Sequence, residues 1–225
     1  MRTESRMRGS SSTIRIVVSS TGSREAGVVT VAFPVPLASG ITMTEDDGPR
    51  ADTTLEKLAT LRTVFRKNGR VTAGNSCPLN DGAAAAVVMS AARAAELGIT
   101  PVARILATGV TALEPELMGL GPIESSRQAL RRAGMTIDDV DVVEINEAFA
   151  AQVIPSARGL GVDPFGDKLN VNGGAIAVGH PFGMTGARIT TTLVNSLQYH
   201  DKTFGLETMC VGGGQGMAMV IERLS

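Results

Sequence analysis

Glu207-Thr208-Met209-Cys210-Val211-Gly212-Gly213-Gly214-Gln215-Gly216 is the stretch from which the architecture can be worked out. An apolar run over 205–211 enters it, and a second run, Met217-Ala218-Met219-Val220-Ile221, leaves it. Two such runs around a glycine cluster predict an antiparallel strand pair joined by a tight turn. The glycines do not announce a dinucleotide site, because a strand-like run follows where that motif needs a helix start. Working backwards, 185–199 predicts a helix with Ile189, Leu193 and Leu197 on one face, and 169–172 a short strand. A helix over 147–158 follows a strand over 140–145. A helix over 123–133, closed by Gly134, follows a strand over 102–110. Strand–helix alternation ending in an antiparallel pair predicts an α/β fold: a mixed β-sheet with helices on both faces.

The first hundred residues are less regular. Residues 1–24 are rich in Ser and Arg, like a transit peptide in composition, and are read as a non-homologous or misassigned start, disordered or loosely packed. A strand-like run over 28–33 is broken by Pro34 and Pro36, and 46–50 has turn composition. Leu55, Leu58, Leu61 and Phe65 recur at helical spacing after Asp52. Small residues mark 71–78 as a loop. The continuous apolar run 83–89 predicts a buried strand, and 91–97 a helix stopped by Gly98 and Pro101.

Hydrophobic content of 43% and a net charge of −1 describe a soluble globular chain with no basic surface for nucleic acid. No apolar run has the length of a membrane-spanning helix. Two cysteines without a CxxC, and two histidines, predict no disulfide framework, no structural metal and a reducing, cytoplasmic setting.

Three polar residues stand in small or apolar surroundings. Cys210 ends a strand before glycines whose N–H groups can approach a ligand, as an oxyanion hole requires. A core thiol before a hairpin turn is the plainer reading. His180 lies in the loop Gly179-His180-Pro181-Phe182-Gly183 and reads as a site residue or a core histidine. Asn146, in Asn146-Glu147-Ala148-Phe149-Ala150, ends a strand; alone it reads as a helix N-cap, with Glu147 a favourable first-turn acid. All three could meet at one rim of one sheet.

Over roughly 45–225 these motifs resemble those of thiolases, the enzymes that make and break 3-ketoacyl-CoA. They look most like the degradative bacterial 3-ketoacyl-CoA thiolases (acetyl-CoA C-acyltransferases) of fatty-acid and sterol side-chain β-oxidation. The resemblance implies a thiolase-like fold and an acyltransferase that needs no cofactor beyond its coenzyme A thioester substrates. It implies that Cys210 is the general acid/base at the α-carbon. His180 would donate to the thioester oxygen and help activate a nucleophilic cysteine. Asn146 would hold a water at the same oxygen, and the Gly212 N–H would serve the second oxyanion hole. Arg50 matches a position at the nucleotide end of CoA, and Ala73 one lining the pantetheine channel. Cys77 falls where many relatives have a pantetheine-contacting Ser. Ala148 and Phe149 match residues walling the acyl pocket.

The same resemblance divides the chain. Residues 25–80 correspond to the tail of the family's loop domain, 81–99 to a remnant of its N-terminal domain and 100–225 to its C-terminal domain. The family's acylated cysteine belongs to an N-terminal half with no counterpart here, so the chain is expected to be inactive alone. A family homodimer or tetramer, or a complementary N-terminal half, is the expected partner. Two alternatives are a non-catalytic thiolase-like lipid carrier and a ketoacyl synthase relative. Carriers lose the Asn-Glu-Ala-Phe motif, which is kept here. Ketoacyl synthases use a Cys-His-His set, and here an Asn and a second Cys stand in place of the second His.

Overall fold

The computed structural model describes residues 50–224, with Gly40 and five short strand segments, Arg2–Glu4, Ile16–Val17, Ser19–Thr21, Val35–Pro36 and Thr42–Met43. The expectations for 28–33 and for the 46–49 turn lie outside the described residues, as does most of 1–24.

Four strands build the main sheet: β1 (Ala103–Ala112), β2 (Val142–Ile145), β3 (Phe204–Val211) and β4 (Gln215–Arg223). Their order is β1-β4-β3-β2. β4 runs antiparallel to β1 and β3, whereas β2 is parallel to β3. The sheet is therefore mixed, and the glycine cluster is its hairpin. Gly213 and Gly214 sit at φ 83° and 84°, a region that costs a glycine nothing and strains other residues.

The helices are α1 (Leu55–Ala59), α2 (Ala91–Glu96), α3 (Gly121–Ala133), α4 (Ala150–Leu160), α5 (Ala175–Val178) and α6 (Thr185–Tyr199). Side chains alternate across a strand, so β2 feeds both faces of the sheet. Val143 and Ile145 pack with Leu206, Val220, Ala129, Leu130, Val153 and Ala157 in the layer of α3 and α4. Val142 packs with Ile221, Leu193, Val194 and Leu197 in the layer of α6. Leu193 and Leu197 are wholly buried, and burying each side chain stabilises by about 1.5–3 kcal/mol. α3 lies close on the sheet because Gly109 has no side chain to meet the Ser125 carbonyl and the Ala129 backbone.

Two expectations fail because the periodic pattern lacks a surface to bury against. The helix expected from Leu55 through Phe65 is only α1, five residues long. Thr54 caps it by accepting from Lys57 N at 3.2 Å, but Leu55 and Phe65 stay exposed and the chain turns away after Thr60. The buried strand expected over 83–89 reduces to Val87–Val88, paired with Ile16–Val17, and both valines are about half exposed, at 52% and 47%. The strand expected over 169–172 is a single parallel bridge, Val143 to Leu169. Asn170 then turns to φ 45°, and its side chain replaces a neighbouring strand by bonding both Ile145 N (2.8 Å) and Ile145 O (2.9 Å). The helix expected from Glu147 starts at Ala150 instead.

Candidate active site

The late start of α4 shapes the site. Asn146 follows the last residue of β2 and stays in the sheet, its N–H donating to Thr208 O at 3.0 Å. Ala148 N then bonds Asn146 O at 3.1 Å, and Phe149 is extended, pairing with Ser76. Asn146 is thus no helix cap, and Glu147 is no first-turn acid. The Glu147 carboxylate accepts instead from Ile176 N at 3.1 Å and from Asn170 Nδ2 at 2.9 Å. This tie joins the end of β2 to the start of α5.

His180 stands in the loop between α5 and α6. Gly179 before it takes φ 94° and presses on the Asn80 amide, leaving no room for a Cβ. The His180 N–H donates to Asn80 Oδ1 at 3.0 Å. Its ring is held at both nitrogens: Nε2 is 3.2 Å from Asn146 Nδ2, and Nδ1 is 2.7 Å from Thr185 Oγ1. Phe182 meets the ring edge-on at 4.9 Å. A cavity of about 340 Å³ opens between His180, Pro181 and Phe182 on one side and Leu79, Asn80 and Asp81 on the other.

Cys210 lies one residue before the end of β3, opposite Gly216 of β4. Ile145 pairs with Thr208 across the parallel strands, so Asn146 and Cys210 leave the sheet at the same end. Asn146 and His180 are joined directly, and Cys210 is joined to them through the sheet. Cys77 reaches the same end from the 71–78 loop, its N–H donating to Ala148 O at 3.1 Å, and its thiol acts electrostatically on that of Cys210.

Loop N–H groups and a nearby His would by themselves favour a Cys210 thiolate. Burial is the larger effect and pushes the Cys210 thiol up, opposed by its backbone hydrogen bond and reinforced by Cys77. The Cys77 thiol is also pushed up by burial. His180 is pushed down by burial and then by the Arg188 cation, so a neutral imidazole, with no charge to draw out a thiolate, faces the site.

The other expected residues divide. Ala148 is buried beside Asn146, and Phe149 stacks edge-on against Phe65 at 6.2 Å rather than lying inside a helix. Gly212 is exposed in the hairpin with open space around it, its carbonyl accepting from Gln215 Nε2 at 3.1 Å. Ala73 is exposed at the start of a single 3-10 turn, Ala73–Asn75. Arg50 is exposed in a turn, its carbonyl accepting from Thr53 N at 3.2 Å, and its described contacts do not bring it to the other site residues.

Behind the site lies a group that motif reading passes over. Glu144 and Glu207 are register partners on β2 and β3. Both carboxyl groups are buried on the α6 face, where Thr190 donates to Glu207 Oε1 at 2.8 Å. Burial pushes each to about 8; for Glu207 the Thr190 hydrogen bond works against it. Arg188 on α6 faces them and reaches Asn146 Oδ1 at 3.4 Å. The available signal was the acid inside each apolar strand, Val-Val-Glu-Ile and Gly-Leu-Glu-Thr.

Comparison with known proteins agrees with this architecture. A family model described as the thiolase C-terminal domain matches residues 99–223, and one described as the thiolase N-terminal domain matches 21–92. The chain is 53% identical over 186 residues to the 3-ketoacyl-CoA thiolase of Idiomarina loihiensis, covering 82% of this chain and 48% of that protein. It is 51% identical over 181 residues to the acetyl-CoA acetyltransferase of Escherichia coli K12, covering 80% and 45%. Among solved structures it resembles the Bacillus anthracis acetyl-CoA acetyltransferase (46% identity, TM-score 0.78, covering 82% and 46%). It also resembles human mitochondrial 3-ketoacyl-CoA thiolase in complex with CoA (41%, 0.76, covering 85% and 48%). The chain spans about half the length of the curated relatives it matches. On its fold, its matched domains and its close relatives, this chain belongs to the thiolase family.

Proposed function

We propose that this site carries the acid–base half of acyl transfer between CoA thioesters, the chemistry of a 3-ketoacyl-CoA thiolase. The observation that carries the reading is the 3.2 Å contact between Asn146 and His180 at the sheet end where Cys210 also emerges. Cys210 exchanges a proton with the α-carbon of the acetyl thioester. His180 and Asn146 face the thioester oxygen, and the Gly212 N–H serves the second acyl carbonyl. A neutral His180 takes a proton from an incoming thiol and then, as imidazolium, donates from Nε2 to the oxyanion. Burial pushes the Cys210 thiol up, and the thiol is the form that delivers a proton to the carbanion when a degradative 3-ketoacyl-CoA substrate is cleaved. Ala148, Phe149, Ala73, Cys77 and Arg50 are the candidates for the acyl and CoA contacts. The reading places the protein in the cytoplasm, acting with a segment or partner that supplies the acylated cysteine. The lipid-carrier alternative does not account for the Asn146–His180–Cys210 set.

Proton exchange at the acetyl methyl group needs no acylated cysteine, so it tests the reading on the 225-residue chain itself. Acetyl-CoA in D₂O is expected to exchange its methyl protons with the wild type. Cys210→Ala should lower the rate by about 100-fold or more, the usual contribution of a positioned acid–base group. No exchange by the wild type, or exchange unaffected by Cys210→Ala, would overturn the assignment. The same chain is expected to show no thiolysis of acetoacetyl-CoA, since neither of its two cysteines is assigned as the nucleophile.

A further inference from the structure

The His180 ring does not orient itself, and the groups that hold it come from one helix turn. Thr185 and Arg188 are three residues apart on the first turn of α6, so their side chains lie on one side of the helix. Thr185, fully buried, approaches Nδ1 of His180. Arg188 approaches the Asn146 amide that lies against Nε2. Asn146 and His180 are therefore clamped between two side chains of α6.

Donor and acceptor roles follow from one fixed fact. An arginine only donates, so the Asn146 atom 3.4 Å from Arg188 Nη2 is the acceptor, Oδ1. The other end of the amide, Nδ2, must then face His180 and donate to Nε2. At the far side Thr185 Oγ1 gives its proton to Pro181 O at 2.9 Å, so it accepts from Nδ1 at 2.7 Å. Both ends of the chain select the same tautomer, with the proton on Nδ1 and the lone pair on Nε2.

We propose that Arg188 is a positioning residue of this site: by fixing which way the Asn146 amide faces, it holds His180 in the Nδ1–H tautomer, with Nε2 as the basic nitrogen against the Asn146 amide. Arg188 is placed for this by the carboxyl groups of Glu144, Glu147 and Glu207, which face it from β2, the β2–α4 turn and β3. Its Nε is buried without a hydrogen-bond partner, so its donors are not all committed elsewhere. The catalytic meaning of this arrangement rests on the proposed acyl-transfer reading; the orientation of the ring does not.

The chain has only two histidines, so ¹⁵N-histidine labelling gives two rings to assign by NMR. In the wild type at neutral pH, His180 is expected as the Nδ1–H tautomer with unprotonated Nε2. A predominantly Nε2–H ring in the wild type would overturn the proposal, and that measurement needs no variant to fold. In Arg188→Met only Thr185 still selects the tautomer; the amide is free to turn its oxygen towards Nε2, and a minor Nε2–H population is expected beside the Nδ1–H form. Arg188→Lys, which keeps a cationic donor, should restore the single tautomer. An unchanged tautomer in folded Arg188→Met would refute the role. Methyl exchange of acetyl-CoA should fall by about 10- to 100-fold in Arg188→Met, the scale of a misplaced reacting group, and recover in Arg188→Lys. If the wild type shows the expected tautomer but no exchange, the acyl-transfer reading fails and the positioning role stands. If exchange occurs with the opposite tautomer, the positioning role alone fails.

Discussion

Replacing Glu207 by Gln should flatten the pH dependence of stability. Glu207 is 6% exposed, next to Glu144 across the parallel strands, and one of its oxygens is buried without a hydrogen-bond partner. Burial, opposed by the Thr190 hydrogen bond, raises its carboxyl from 4.5 to about 8. Between those two values the folded chain keeps a proton that the unfolded chain has lost. Stability from this group is therefore full at acidic pH and falls as pH rises towards the folded value. The slope for one such proton is about 1.4 kcal/mol per pH unit, so from about pH 6 to about pH 8 the loss is roughly 2–3 kcal/mol. Glu144 titrates in the same direction, also at about 8, and adds to the slope. Glutamine has the shape of the protonated acid, keeps an acceptor for Thr190 and cannot ionise. Urea unfolding of wild type and Glu207→Gln at the two pH values isolates the difference, because every other group is common to both. Glu207→Gln should lose less stability over the interval by roughly 2 kcal/mol. Equal pH slopes in the two proteins would show that Glu207 ionises normally in the folded state, and would refute the burial argument.

Gly109→Ala should destabilise by about 1–3 kcal/mol, towards the upper end, because the new methyl meets the Ser125 carbonyl and the Ala129 backbone nitrogen and no flexible side chain can yield. Thermal melting measures this, and an unchanged midpoint would mean that α3 lies further from β1 than described. An alkylating reagent should label Cys77 faster than Cys210, since Cys210 is only 7% exposed and Cys77 is partly accessible. Peptide mapping after brief labelling reads the order, and preferential labelling of Cys210 would contradict its burial.

Local periodicity was enough for most of the second half of the chain. The helix over 185–199 and the hairpin around Gly213 and Gly214 follow from patterns written within a few residues, and both form as read. The motifs around Asn146, His180 and Cys210 were legible for the same reason: each is a polar residue in an otherwise small or apolar stretch. Where the pattern had no partner surface it misled, as with the helical spacing from Leu55 to Phe65 and the apolar run at Val87 and Val88. Periodicity states which side chains could be buried together, and only a neighbouring element makes that burial happen. The true start of α4 also needed the third dimension, because Phe149 pairs with Ser76 and Glu147 turns to Asn170 and Ile176. The ionisation of the site was hidden most completely. Glu144 and Glu207 become neighbours only when β2 and β3 pair, and Cys210 loses solvent only when the layers close over it. A sequence carries the chemical identity of each group; its charge depends on the water and the charges that the fold removes or brings near.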